Sequence, residues 1–155
     1  MNLENQVTNL SISKRLSELG LKQESYAYWV NDVRNDENAK GFFISLWNNE
    51  CKPTNMPHWS AFTASELANM LPHIVNTKIN EPFNNFRLCI TKSFIVESDL
   101  IKKYIYIINY HCDTTFFGTD AFRSNNLTKN IHAENLADAM ALMLIYLIEN
   151  QFITI

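Results

Sequence analysis

The chain has 155 residues, a formal net charge of −3 and a hydrophobic fraction of 46%. This length suits one domain with its own core, and the slight acidic surplus disfavours a protein that wraps nucleic acid electrostatically. The N-terminus lacks the basic flank and apolar core of a signal peptide, and the longest apolar run, residues 139–148, is about half of what spans a bilayer. We therefore expect a cytoplasmic protein without a membrane segment.

The first predicted element is a helix from Leu10 to Leu19. Apolar residues recur on one face at helical spacing, and Gly20 suits the left-handed residue that follows a helix end. Ser11 or Ser13 is expected to cap the first turn, because a serine hydroxyl accepts hydrogen bonds from amide groups that have no partner there.

Two stretches rich in aromatic and β-branched residues follow, and they predict an antiparallel hairpin. Residues 25–33 and 41–47 form its strands, and the polar residues 34–38 form its turn. A loop marked by two prolines is expected at residues 48–57.

A second helix is predicted after Thr63. The segment Thr63 to Glu66 has the pattern of a capping box, in which each side chain accepts a hydrogen bond from the amide group of the other residue. The helix should end near Pro72, because the residue before a proline disfavours helical dihedral angles. Residues 76–85 are expected to form a loop.

The last part of the chain predicts a second hairpin and a third helix. Residues 87–96 and 103–112 are strand-like, and residues 114–117 are compatible with a further short strand. The strand 103–112 is apolar on both faces, as is typical of a central strand. A helix from Leu136 to Glu149, capped by Asn135, is apolar nearly all round, so we expect it to be buried.

The predicted order is α-ββ-α-ββ(β)-α in a single domain, residues 1–155. Strands joined by tight hairpins are antiparallel, and helices packed on one face complete a two-layer arrangement. We therefore expect an α+β fold with an antiparallel sheet of four or five strands, three helices and a buried C-terminal helix.

No pattern of residues predicts a metal or cofactor site. The cysteines Cys51, Cys89 and Cys112 are odd in number and widely spaced, which suits reduced thiols better than disulfides. The neighbours His111 and Cys112 are poorly placed to bind one metal, because adjacent strand residues point to opposite faces. A Cys–His pair can still meet in space, so a small hydrolase using Cys112 or His111 is our third functional hypothesis.

DNA binding is the second functional hypothesis, carried by two short resemblances. Residues 16–23, LSELGLKQ, resemble the opening of helix-turn-helix domains, and residues 62–71, FTASELANML, resemble a helix of a winged variant. However, the first segment runs directly into a predicted strand, and the second has no Arg or Lys to reach phosphates or guanine edges. The basic residues form short, interrupted clusters that are typical of solvated surface: Lys14, Arg15, Lys22, Lys102 and Lys103.

The tryptophans Trp29, Trp47 and Trp59 are candidate binding residues for a protein partner. Aromatic residues are enriched at interaction hot spots, although packing of a hairpin against a helix would use them as well. The apolar segment Phe42 to Trp47 lacks proline and lysine, so it could also pair with a second copy as an edge strand and give a homodimer.

Three blocks of the chain resemble a family of small proteins encoded in phages and prophages. They are LSISKRLSELGLKQESYAYW at residues 10–29, SAFTASELANMLP at residues 60–72 and NLADAMALMLIYLIENQ at residues 135–151. In the family these blocks read LSxxLxELGxKQES, AFTxxELGEMLP and NExADAxAxMLIYLIEN, and here Ala68 replaces the glycine of the middle block. Residues 81–126 have no counterpart.

The resemblance implies a bacterial cytoplasm and a mobile genetic element, and it brings no activity or site residue with it. Our leading hypothesis is a non-enzymatic phage or prophage accessory protein that binds another protein, such as a host or defence factor. The hypothesis depends on the aromatic content, on the three blocks and on the lack of a catalytic pattern in the sequence.

Overall fold

The computed structural model describes residues 3–31, 42–46, 57–76, 85–98, 101–114, 123–126 and 129–155. In these ranges the chain forms the helices α1 Leu10–Glu18, α2 Ala64–Met70 and α3 Leu136–Glu149. The strands are β1 Ala27–Asn31, β2 Phe42–Leu46, β3 His58–Ser60, β4 Ile74–Asn76, β5 Asn85–Ser98, β6 Ile101–Thr114, β7 Arg123–Asn126 and β8 Ile131–Ala133. The predicted α+β class is confirmed.

The strands form two antiparallel sheets, with the order β2-β1-β3 in one and β4-β5-β6-β7 in the other, where β8 also pairs with β6. Both predicted hairpins are confirmed, since β1 pairs with β2 and β5 pairs with β6. Two sheets arise because the short strands on either side of α2 join different hairpins: β3 pairs with β1, and β4 pairs with β5. Residues 115–117 of the additional predicted strand lie outside the described residues.

Helix α1 begins one residue after Asn9, and its cap differs from the expected one. The Asn9 side chain, not that of Ser11 or Ser13, accepts the hydrogen bond from the Ile12 amide at 3.0 Å. The Ser13 hydroxyl is buried and shares a hydrogen bond with Thr8 instead. At the other end Gly20 has φ of +89°, as expected for the left-handed residue after a helix.

Helix α3 contributes eight buried residues to the described structure. Its bounds and its cap agree with the prediction, because the Asn135 side chain accepts from the Ala137 amide at 2.9 Å. The helix packs on α1, α2, β6 and β8. The core around it contains buried side chains from all three helices and from β6: Ile12, Leu16, Leu67, Ile108, Tyr110, Met143, Leu144 and Leu147.

The segment Val7 to Asn9, which we call the 7–9 segment, links the start of α3 to the rest of the chain. The Asn135 side chain donates to the Val7 carbonyl at 2.7 Å. The Asn9 backbone and side-chain N–H groups donate to the two carboxylate oxygens of Asp138, at 2.7 and 3.1 Å. The Thr8 amide donates to the Phe62 carbonyl at 2.9 Å, so this segment also binds the chain just before α2.

We predict that Leu144→Ala lowers the free energy of unfolding by about 2–5 kcal/mol, because Leu144 is 1% exposed and its loss leaves a cavity. Leu142→Ala is a matched control on the same helix, where the side chain is only partly buried and the loss should be clearly smaller. Denaturant unfolding of both variants measures the difference. Equal midpoints for the parent and Leu144→Ala would mean that α3 is peripheral.

The carboxyl group of Asp138 gives a second prediction. Burial raises its pKa above the ordinary value of 3.8, against the opposing effect of the two hydrogen bonds from Asn9. A carboxyl group whose pKa is higher in the folded state stabilises the fold at low pH, and this contribution is lost as the pH rises through the raised pKa. The free energy of unfolding of the parent minus that of Asp138→Asn should therefore fall as the pH rises from 3.8. A difference that grows with pH would mean that the Asn9 hydrogen bonds dominate.

Candidate protein-binding surface

The three-stranded sheet brings two of the candidate tryptophans together. Trp29 of β1 lies directly opposite Trp59 of β3 in the antiparallel register. The third candidate, Trp47, follows β2 and lies outside the described residues. Trp29 is also opposite Ile44 of β2, so this face of the sheet is apolar across all three strands.

Trp29 is the buried tryptophan of this face. Its side chain is 9% exposed and lies in a small core with Val7, Ala27 and Ala61. The indole N–H donates to the Thr8 carbonyl at 2.8 Å, which satisfies its polar atom inside the core. In the described structure Trp29 therefore belongs to the core and has little exposed area to offer a partner.

Next to Trp29 lies a cluster that we call the aromatic surface, formed by Lys14, Phe42 and Trp59. The rings of Phe42 and Trp59 have their centroids 5.5 Å apart and are tilted by 59°. The Lys14 ammonium nitrogen lies 4.8 Å from the Phe42 centroid and 4.6 Å from the Trp59 centroid. All three side chains are partly exposed, so each can contact both the protein and an outside group.

Helix α1 positions the cation of this surface. Leu10 packs on the small core around Trp29, and Lys14 is one helical turn further along the same side of α1. From the sequence, Lys14 is predicted to lie on solvated surface together with Arg15 and Lys22, whereas in the structure it contacts two aromatic rings. The spacing of four residues between Leu10 and Lys14 indicates that both side chains lie on one side of the helix, but not which element that side faces.

The other described basic residues of the first cluster bind acidic neighbours on the surface. Arg15 donates to Glu18 and to Glu149, which links α1 to the end of α3. Lys22 lies 2.9 Å from Glu24. These contacts agree with the expectation of a solvated surface, and they leave no continuous basic stripe among these residues.

The segments behind the DNA-binding hypothesis do not form consecutive helices. After α1 the chain enters β1, so residues 10–31 lack the second helix of a helix-turn-helix. In α2 the Asn69 side chain is exposed, whereas Glu66 is held by the capping box with Thr63. DNA binding stays a prediction without a structural motif in the described residues.

The residues of the hydrolase hypothesis are consecutive in β6. The backbone of His111 pairs with Arg87 and Asn126, and the side chain of Cys112 lies outside the described part of the chain. Cys89 is exposed on β5. Across the ranges that the structure describes, no three His, Cys, Asp or Glu residues come together as a metal-binding group.

The three blocks that carry the phage-family resemblance contact one another. The Glu66 carboxylate accepts from the Ser25 hydroxyl and from the Tyr26 amide, both at 3.1 Å. The Gln23 side-chain oxygen accepts from the Ser60 amide at 2.9 Å. Since α1 and α2 both pack on α3, the blocks form one continuous part of the fold, whereas β5, β6 and β7 come from residues between the second and the third block.

Comparison with known proteins adds no relative: no protein-family model, curated protein or solved structure matches the chain. None of the helices in the described ranges has the length and apolar content that a bilayer crossing requires.

We predict that Lys14→Gln lowers the free energy of unfolding by about 0.5–1 kcal/mol, because the variant keeps a helix-compatible side chain and loses the attraction of the ammonium group to the two rings. Lys22→Gln is the matched control, since Lys22 contacts a carboxylate at an exposed site where such pairs contribute little. Denaturant unfolding measures both. If the two variants lose equal stability, the Lys14 contact with the rings contributes nothing of its own.

Proposed function

We propose that this chain is a non-enzymatic accessory protein of a phage or prophage that acts by binding another protein through the aromatic surface. The observation that carries the proposal is the contact of the Lys14 ammonium with both Phe42 and Trp59, at 4.8 and 4.6 Å, in a partly exposed position.

The two rings of the aromatic surface are of the kind found in interaction hot spots. Tryptophan is enriched among the residues that dominate binding energy, aromatic residues are enriched at interfaces as a whole, and hot-spot residues lie in well-packed positions near the centre of an interface. Lys14, Phe42 and Trp59 already hold one another in place in the unbound chain. These side chains would therefore lose less conformational entropy on binding than three mobile side chains would.

The neighbouring residues extend the apolar area around this point. Leu46 of β2 is on the same face of the sheet and is 68% exposed. The partly buried Ile44 lies between Leu46 and Phe42 along the strand. A partner that covers the aromatic surface would also bury Leu46, which adds to the favourable burial of apolar surface.

The resemblance to phage and prophage proteins implies where the proposed partner would be found. Such a protein would act in a bacterial cytoplasm, where its target is a host or defence factor. A partner with acidic and apolar groups side by side would match the combination of Lys14 with two aromatic rings.

We predict that Trp59→Ala weakens capture of this partner by at least about 30-fold, the equivalent of about 2 kcal/mol, because a hot-spot side chain is removed. The measurement is affinity capture from a bacterial host lysate at native expression level, followed by titration of the captured protein. Thermal unfolding of the variant confirms that its fold is kept.

Tyr26→Ala is the matched control, because Tyr26 is an exposed aromatic residue next to β1 and lies outside the aromatic surface. Its side chain can be removed without touching the backbone amide that donates to Glu66. Capture should be unchanged in this variant. No captured protein, or equal capture by the parent and Trp59→Ala, would contradict the proposal.

A further inference from the structure

Strand β5 has a long outer edge that no described strand covers. Strand β4 pairs only with Asn85 to Arg87, and the His73 carbonyl accepts from the Leu88 amide at 3.2 Å. Beyond Leu88 the structure describes no strand on this side of β5. The regular pairing of β5 with β6 on the other side continues to Val96, where the register shifts.

The Leu88 hydrogen bond identifies which residues direct their backbone groups to this edge. The Leu88 N–H points towards β4, away from β6, and the direction of the backbone groups alternates along an antiparallel strand. The residues after Leu88 that face outward are therefore every second one. They are Ile90, Lys92, Phe94 and Val96.

An edge of this kind is a template for pairing with another strand unless proline or an outward lysine blocks it. Residues 85–98 contain no proline. Lys92 is directed away from the edge, because its ammonium nitrogen lies 4.7 Å from the Tyr104 centroid and 5.6 Å from the Tyr106 centroid, both on β6. Lys92, the one described lysine of this strand, therefore places its charge over β6 and not at the outer edge of β5.

We propose that β5 of a second copy of this chain pairs antiparallel with this edge. The two copies are related by a two-fold axis that lies midway between their Ser93 residues, which we call the axis at Ser93. A two-fold axis perpendicular to the sheet keeps each side chain on its own face. Because side chains alternate between the two faces along a strand, residues that lie directly opposite each other must be an even number of positions apart in the sequence. With the axis at Ser93, Ile90 pairs with Val96 of the second copy, and Lys92 pairs with Phe94 of the second copy. Each such pair exchanges two backbone hydrogen bonds, and every outward-facing residue has a partner.

Neighbouring registers fail for separate reasons. An axis at Lys92 would set the two Lys92 residues directly opposite each other and would require the Leu88 amide, which already binds His73. An axis at Phe94 would pair outward-facing residues with Ser98, beyond the shift in register at the end of β5. The match of the edge to itself about Ser93 is what assigns it to a second copy.

The helical layer leaves room for this contact. Helix α3 packs on β6 and β8, and Ile90 of β5 is 43% exposed on the same face of the sheet. The sequence predicts the segment Phe42 to Trp47 as a two-fold contact, and β2 does lie at an edge of its own sheet. However, β2 is 5 residues long whereas β5 is 14 residues long, so β5 can form the longer ladder.

The test is a disulfide between two copies. In a chain with Cys51→Ser, Cys89→Ser and Cys112→Ser, we add Ser93→Cys and oxidise the protein with oxidised glutathione. At the proposed axis the two Cα atoms are about 4.5 Å apart, the spacing of an antiparallel pair that shares no hydrogen bonds, and a disulfide spans this distance. Most of the protein should become a covalent dimer on a non-reducing gel.

Thr91→Cys in the same background is the matched control. Its two copies would be separated by four residues along the ladder, about 13 Å, which is too far for a disulfide. Cross-linking of Ser93→Cys should exceed that of Thr91→Cys by at least tenfold. Equal cross-linking of the two variants, or none in either, overturns the proposal.

Light scattering of the unaltered protein gives an independent reading that no cysteine variant affects. It should return about twice the 18.0 kDa of one chain, and Lys92→Pro should return 18.0 kDa, because proline removes an outward N–H without removing a hydrogen bond to β6. A mass of 18.0 kDa for the parent at every concentration overturns the proposal and leaves the edge to a strand of another protein.

Discussion

The burial of α3 is the constraint on which the rest of the described structure depends. The helix has apolar side chains nearly all round, and each large one contributes about 1.5–3 kcal/mol when it is removed from water. One neighbour cannot cover such a helix, so α1, α2, β6 and β8 all pack on it. The 7–9 segment completes this arrangement, since Val7 and Asn9 bind the first turn of α3 while Thr8 binds both Trp29 and Phe62.

Both proposed contact surfaces lie where α3 does not reach, and both contain a lysine that is held over aromatic rings. Lys14 lies over Phe42 and Trp59 at the outside of the three-stranded sheet, where the cation itself becomes part of the surface. Lys92 lies over Tyr104 and Tyr106, and there the contact has the opposite consequence, because it moves charge away from a strand edge. In the two proposals the attraction between a lysine and aromatic rings therefore has different effects. It adds a charge to the aromatic surface, and it removes a charge from the edge of β5.

The sequence predicted the elements whose patterns are local and long. Helix α3, the capping box of α2 and the two hairpins follow from periodicity and from residue types at fixed spacing. It did not predict β3, β4, β7 and β8, because strands of three or four residues carry too little alternation to be recognised. The cap of α1 was also predicted wrongly, because Asn9 and two nearby serines are all residue types that can cap a helix. The contact of Asn9 with Asp138 is not evident from the sequence, since the two residues are far apart along the chain.

The candidate surface was only half accessible to sequence reasoning. Trp59 could be singled out by residue type, but the choice between Trp29 in the core and Trp59 at the surface depends on which strands pair. Lys14 looked like one member of a solvated basic cluster, because only the fold brings α1 onto β3. Among the described residues, the uncovered part of the β5 edge depends in the same way on the short length of β4, a strand that no pattern in the sequence reveals.

Hydrogen exchange resolved by residue tests the central claim most directly, namely that α3 is the element around which the chain is held together. If the claim is right, the amides of α3 exchange only through global unfolding, and their free energy of opening equals the free energy of unfolding from denaturant titration. The amides of β1 and β2 should exchange through smaller openings. Exchange of α3 at a lower free energy than β1 would contradict the account, because α3 would then open while the rest of the structure stayed folded.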